Sequence, residues 1–363
     1  MSRFLDRFRS GELAARIADI KFTLYLMRRN PLVIFGSVIS VFFIILALVA
    51  NFVVNPNLAY EFNFARSYRW NNPYFSWGTG TTTISSPPVH WLGTDGYGRD
   101  LLQMIILAIP LDIALAFGIV AGALAIGLTV GATAGYIGGA IDEAILRITD
   151  IFFAFPGLLL ALVFAAIFGR TIQTLAIAVL LVWWPTYVRL IRGQVLGEKE
   201  KAYVEALRAL GGRHSQSLSQ VRLYSNSTLH NLVRLSGHNP VVVWSFGIVD
   251  RIGKGFIDGA AVFVAHVRIL FRHILPNSIY PILIQATLDL GGVILTFSAL
   301  MFLGFSPSLA LPELGNLAAD GIAHFNDAPW LILFPGLTIL IIALAFNLVG
   351  DGLRDVLDPR LRR

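Results

Sequence analysis

Few residues in this chain are of types that carry chemistry, and most of those are spaced wrongly for it. There is no Cys, which removes disulfide frameworks, thiol nucleophiles and thiolate zinc sites together. None of the seven His is paired at i, i+4 beside a Glu, the spacing that would set two imidazoles around zinc on one helix face. Gly247, Gly253, Lys254 and Gly255 resemble a phosphate loop at a glance. However, five residues separate the first two glycines instead of four, and no Ser or Thr follows Lys254 to hold Mg²⁺, so ATP binding by this chain is not expected. Asn226-Ser227-Thr228 has the pattern of a glycosylation site and is read as coincidence.

Two features survive. Asp289 is a carboxylate inside a long apolar run. An unpaired charge there is expensive, so the acid is either functional, partnered by another helix or protonated. The second feature is the stretch from Tyr203 through Glu205, Ala206, Leu207, Arg208 and Leu210 to Gly211. On a helix, Tyr203, Ala206 or Leu207, and Leu210 share one face, and Gly211 is a natural stop. A short helix with one apolar face either lies on lipid headgroups or seats in a groove of a soluble partner.

The elements that must position these residues are mostly apolar. Of 363 residues, 56% are hydrophobic and 14% charged, against about 25% charged in soluble domains. The chain lacks the polar surface to cover itself in water, and a bilayer supplies the missing solvent. The net charge of +6 does not point to nucleic acid, because the basic residues flank apolar runs rather than forming a polar basic face. A crossing helix needs about 20 residues. Charge-free or nearly charge-free stretches of that order run over 31–54, 113–141, Ile151–Gly169, Thr171–Val188, Ile279–Phe305 (interrupted by Asp289) and Ala328–Gly350. The fold class predicted is an all-α membrane protein with six transmembrane helices.

Charge bias orients them. With the N-terminus inside, the outer segments hold only Arg66, Arg69, Arg99 and Arg170 of the 28 Lys and Arg. Without the long loop 194–278 the inner side still has fourteen against four. Both termini are therefore expected in the cytoplasm. The predicted organisation is a cytoplasmic amphipathic segment 1–30, a first helix 31–54 and an external segment 55–100 rich in aromatic and small polar residues. Helices two to four follow over 101–193, then a cytoplasmic loop 194–278. Helices five and six occupy 279–353, with an external segment 306–330 between them, and 354–363 forms a cytoplasmic tail. Arg147 and Asp150 are placed to pair at i, i+3.

Several ordered stretches resemble one family: the permease subunits of dipeptide/oligopeptide-type ABC importers. Its cytoplasmic mark is seen in Glu205-Ala206-Leu207, Gly211 and Leu275-Pro276. Arg28-Arg29-Asn30-Pro31 is similar to its approach to the first span, and His90-Trp91-Leu92-Gly93-Thr94-Asp95-Gly96-Tyr97-Gly98-Arg99-Asp100 to its approach to the second. Asp142, Arg147, Asp150 and Phe155-Pro156 resemble its third span, and Phe334-Pro335-Gly336 with Gly350-Asp351-Gly352-Leu353-Arg354-Asp355 its sixth span and tail. The resemblance implies a type I ABC importer permease fold in a prokaryotic plasma membrane. It implies no enzyme activity in this chain, a second homologous permease subunit, two ABC ATPase subunits that hold ATP and Mg²⁺, and an external solute-binding protein. The Tyr203–Gly211 helix would be the docking element for the ATPase, and the solute a peptide or a similar small molecule, oligosaccharides included. The alternative from another class is an ion-gradient-driven secondary transporter or channel, which would be expected to show inverted repeats and paired intramembrane charges.

The chain departs from the family in three places. Glu205 and Pro276 lie 71 positions apart, roughly 52 more than the resemblance implies, so an insertion is placed near 213–266. Near the top of the second span the family has a basic residue, where this chain reads Ile109-Pro110-Leu111-Asp112. In the fifth span Phe297 stands where the family carries Glu, and Asp289 lies two turns earlier.

Overall fold

The computed structural model describes residues 30–55, 91–199, 275–308, 310–326 and 328–357. Among these residues all extended regular structure is helical, with one isolated antiparallel bridge between Thr94 and Asp100.

The local sequence explains where the helices begin. Helix α1 is Pro31–Val53. The Asn30 side chain accepts from the Leu32 amide at 3.0 Å, and Pro31 sits where an N–H would be wasted. Its 23 residues span roughly 35 Å, enough to cross hydrocarbon. Helix α2 is Leu101–Ile126, capped by Asp100, whose Oδ1 accepts from Gln103 N at 2.9 Å. A π-helical turn, Gly127–Gly131, carries it into α3, Ala132–Ile137, and the chain turns at Gly138 and Gly139, where φ is +72° and +61°. Helix α6, Ile172–Lys199, starts from a reciprocal cap: Thr171 N donates to Thr174 Oγ1 at 3.0 Å and Thr174 N to Thr171 Oγ1 at 3.2 Å.

The stretch 151–169, expected as one crossing, is broken. Helices α4 (Gly139–Phe153) and α5 (Gly157–Phe168) meet at 89°, and they pass as a span only as a bent pair. Pro156 is the physical cause, since it has no amide to donate and biases Phe155 away from helical backbone. Among the described residues there are thus five helices long and apolar enough to cross a membrane, or six with the bent pair as one. The remaining elements are α7 (Leu275–Leu300, ending in a π-helical turn Met301–Phe305), the short α8 (Leu314–Asp320) and α9 (Trp330–Leu357).

The chain divides into two compact units. The first comprises residues 1–128, 146–188 and 280–363. In it α9 packs on α1 and α8, α1 packs on α2, and α8 sits against α2 and the turn Met301–Phe305. Small residues permit the closest approaches, as is usual where lipid supplies no hydrophobic drive. A Cβ on Gly291 of α7 would lie 2.7 Å from the Ala343 carbonyl oxygen of α9. Leu32, Phe35, Val38, Phe42, Ile45 and Phe52 on α1 stay exposed, which suits an acyl-chain environment. The second unit comprises 129–145 and 189–279. There α3 approaches the end of α6 at Gly135, where a Cβ would meet the Arg192 carbonyl oxygen at 3.0 Å.

Candidate functional site

The residues expected to dock an ATPase (Tyr203, Glu205, Ala206, Leu207, Arg208, Leu210 and Gly211) lie outside the described residues, as does the expected insertion 213–266. The helix that leads toward them is described. Arg192 on α6 grips Asp142 on α4 through two parallel bonds, Nε to Oδ1 at 2.5 Å and Nη2 to Oδ2 at 2.6 Å. Both side chains are part-buried, at 25% and 14% exposure. The fork geometry of a guanidinium against a carboxylate fixes angle as well as distance. Asp142 stands in a family-like stretch of the sequence, yet nothing in its spacing from Arg192 hints that the two meet.

Asp289 lies in α7 one turn after Gln285, whose amide donates to Oδ1 at 3.0 Å. Trp183 and Tyr187, one turn apart on α6, bring an indole N–H and a hydroxyl toward the same carboxylate. The Tyr187 hydroxyl and Asp289 Oδ2 are nonetheless buried without a completed hydrogen bond, and so is the neighbouring Trp184 indole N–H. Trp184 stands edge-on to Phe152, with ring centres 5.2 Å apart. The acid is therefore served by neutral donors, and no cation is among the groups acting on it. Phe297, two turns on, is buried core.

A second polar region joins the loop before α2 to the segment between α7 and α9. Asp95 Oδ1 accepts from the amides of Tyr97 and Arg99, both at 2.9 Å, and Oδ2 from Arg99 Nε at 2.5 Å. Arg99 also stacks over the Tyr97 ring at 5.0 Å and lies 3.7 Å from Asp320 at the end of α8. Burial pushes the Asp320 carboxyl up to about 6; Arg99 opposes that shift and Asp95 adds to it. Further in, Asp112 of α2 and Glu313, the cap of α8, face each other. Glu313 accepts from Asn316 N at 2.7 Å and from the Ser298 hydroxyl at 3.0 Å, while Asp112 Oδ2 accepts from Leu314 N at 3.2 Å. Burial pushes Glu313 up to about 7, against the donors that bind it.

Sequence reasoning passed over Asp112 and Glu313. Asp112 served there as the edge of a charge-free stretch beginning at 113 and as part of the text standing where the family has a basic residue, with no role of its own. The available signal was Asp100, a capping residue directly before an apolar run, which starts the helix at Leu101 and carries Asp112 three turns inside it.

Long apolar helices, close small-residue contacts and acids buried between helices define an integral membrane protein built as a helical bundle. The chain belongs to the family of binding-protein-dependent transport system inner membrane components, whose model matches residues 127–224 and 240–363. It is 36% identical to the dipeptide transport system permease protein DppC of Escherichia coli over 93% of this chain and 91% of that one. The DppC protein of Alkalihalophilus pseudofirmus is 33% identical over 93% of this chain and 88% of its own. The glutathione transport system permease protein GsiD of Pectobacterium atrosepticum is 33% identical over 75% and 73%. This chain is accordingly a permease subunit, the membrane-embedded component of a transport system that works with a binding protein.

Proposed function

We propose that this permease conducts short peptides across the cell membrane as half of a path completed by a second, homologous permease subunit. Two ABC ATPase subunits bind ATP and Mg²⁺ and power the cycle, and an external binding protein delivers the solute. This chain itself holds no nucleotide. The observation that carries the reading is the similarity to dipeptide permeases along nearly the whole length of both chains, seconded by similarity to a permease for glutathione, itself a small peptide. Both termini and the Tyr203–Gly211 helix lie on the ATPase side, with Glu205 and its neighbours seated in a groove of the ATPase.

The Asp142–Arg192 fork suits such a machine. A lever transmits motion only if its base does not yield, and the fork braces α6 within two turns of its end. Rigid-body movement of the docked helix then reaches the spans and exposes the path alternately to either side. The test is uptake of a labelled dipeptide into proteoliposomes holding the complete complex and its binding protein. Uptake should require ATP and a hydrolysing ATPase and should persist when ion gradients are collapsed. Uptake that follows an ion gradient without ATP would favour the secondary-transporter reading instead.

A further inference from the structure

Two carboxyl groups buried side by side with no cation present an electrostatic problem that the peptide-transport reading leaves untouched. Asp112 and Glu313 are 3% and 0% exposed. The donors that reach them are neutral: Leu314 N on Asp112, and Asn316 N, Gly315 N and Ser298 Oγ on Glu313. Asp112 Oδ1 has no donor at all, although it is buried, and the other carboxyl is the group that acts on it. Two adjacent carboxylates in low dielectric cannot both ionise near neutrality, and one proton placed between them relieves the repulsion and fills the missing donor.

We propose that Asp112 and Glu313 form a proton-binding site, holding one proton between their carboxyl groups, and that its release loosens the join between α2 and α8. Release passes the proton to water and takes the pair from one negative charge to two. The charged and titratable groups around it are few. On α2 the only other acid near this end is Asp100, engaged in capping its own helix. The turn Met301–Phe305 contributes none of its own, and Arg170 beside it donates to the Gly304 carbonyl at 3.2 Å and covers the Phe305 ring. Asp320 closes α8 toward Arg99 and Asp95, His324 follows, and α9 carries no charge from Trp330 to Gly350. No lysine or arginine is among the groups that act on either carboxyl.

Glu313 caps α8 and ties it to α7 through Ser298, while the adjacent Leu314 amide ties it to Asp112 of α2. Full ionisation of the pair therefore pushes against the contact that seats this segment. The charge bias of the sequence puts the segment on the outer face, so transport should respond to outside pH.

Infrared spectroscopy of the purified complex reads the proton directly, whatever the complex transports. A protonated-carboxyl carbonyl band should titrate away as pH rises through about 7, and its midpoint should fall by about one pH unit or more in Asp112→Asn, whose amide supplies the donor without the charge. Asp112→Ser, smaller and also a donor, should do the same should the amide fold poorly. A midpoint unchanged in these variants, or no titrating band at all, overturns the site. In proteoliposomes, dipeptide uptake should fall about threefold or more as outside pH rises from about 6 to about 8.5, and Asp112→Asn should flatten that profile. The uptake arm rests on the peptide-importer reading. A wild-type profile that is already flat, with the band titrating, overturns the link to transport while leaving the proton site standing.

Discussion

The Asp142–Arg192 fork and the Asp112–Glu313 carboxyl pair solve opposite problems. Asp142 and Arg192 cancel each other's charge through two short bonds. Asp112 and Glu313 carry charges of one sign, and only a mobile proton reconciles them. A matched ion pair makes a permanent brace, because breaking it strands a buried charge. A like-charged pair makes a conditional joint, tight in one protonation state and strained in the next. This molecule places the brace beside the helix that should meet its motor and the conditional joint in the segment between α7 and α9.

The comparison can be broken most severely at the expected lever. Gly211→Asp should reduce uptake by more than about tenfold while ATP hydrolysis continues, since the coupling path alone is cut; an assembled complex that transports normally would remove the lever from the account. Next in size, Arg192→Ala leaves Asp142 without its fork and should cost about 2 kcal/mol, read as a lower melting temperature of the purified complex. Arg192→Lys should recover only part of this, because an ammonium cannot make two parallel bonds.

The carboxyl pair should respond to pH with a defined sign. The folded-state pKa of Glu313 is raised to about 7 from an ordinary value of 4.5. Between those values the native state keeps a proton that the unfolded chain has lost, so stability falls as pH rises and levels off above about 7. Glu313→Gln should flatten this slope by melting temperature, while the slope set by Asp320, raised to about 6, remains. The smallest effect is expected at Asp289. Asp289→Asn retains an acceptor for Gln285 and should change stability by less than about 1 kcal/mol, whereas Asp289→Leu removes the acceptor that the Gln285 amide binds and should cost more.

The helical membrane fold was legible because its cause is local. A run without charge longer than the bilayer is thick announces itself, and Asn30-Pro31 and Asp100 mark helix starts by chemistry alone. The bend at Pro156 was half-visible: the proline is plain, but a charge-free run on both sides of it looks continuous. The sites were harder, since they depend on pairings across the chain. The bond between Leu314 and Asp112 joins residues 202 positions apart, and the Asp142–Arg192 fork spans 50. Neither separation follows any helical period. Asp289 was conspicuous only because its surroundings are so apolar, and its donors on α6 are a matter of packing that composition does not record.

Gly315 limits how this joint can move. It rests so close against the backbone of Ser298 that even a methyl group there would collide with it. Such contact forbids sideways travel, because a shift along α7 would drive side chains of either neighbour into the space that only a hydrogen fills. A join loosened by loss of the proton would therefore part by lifting off α7, like a stopper drawn straight from a bottle, rather than by sliding along it.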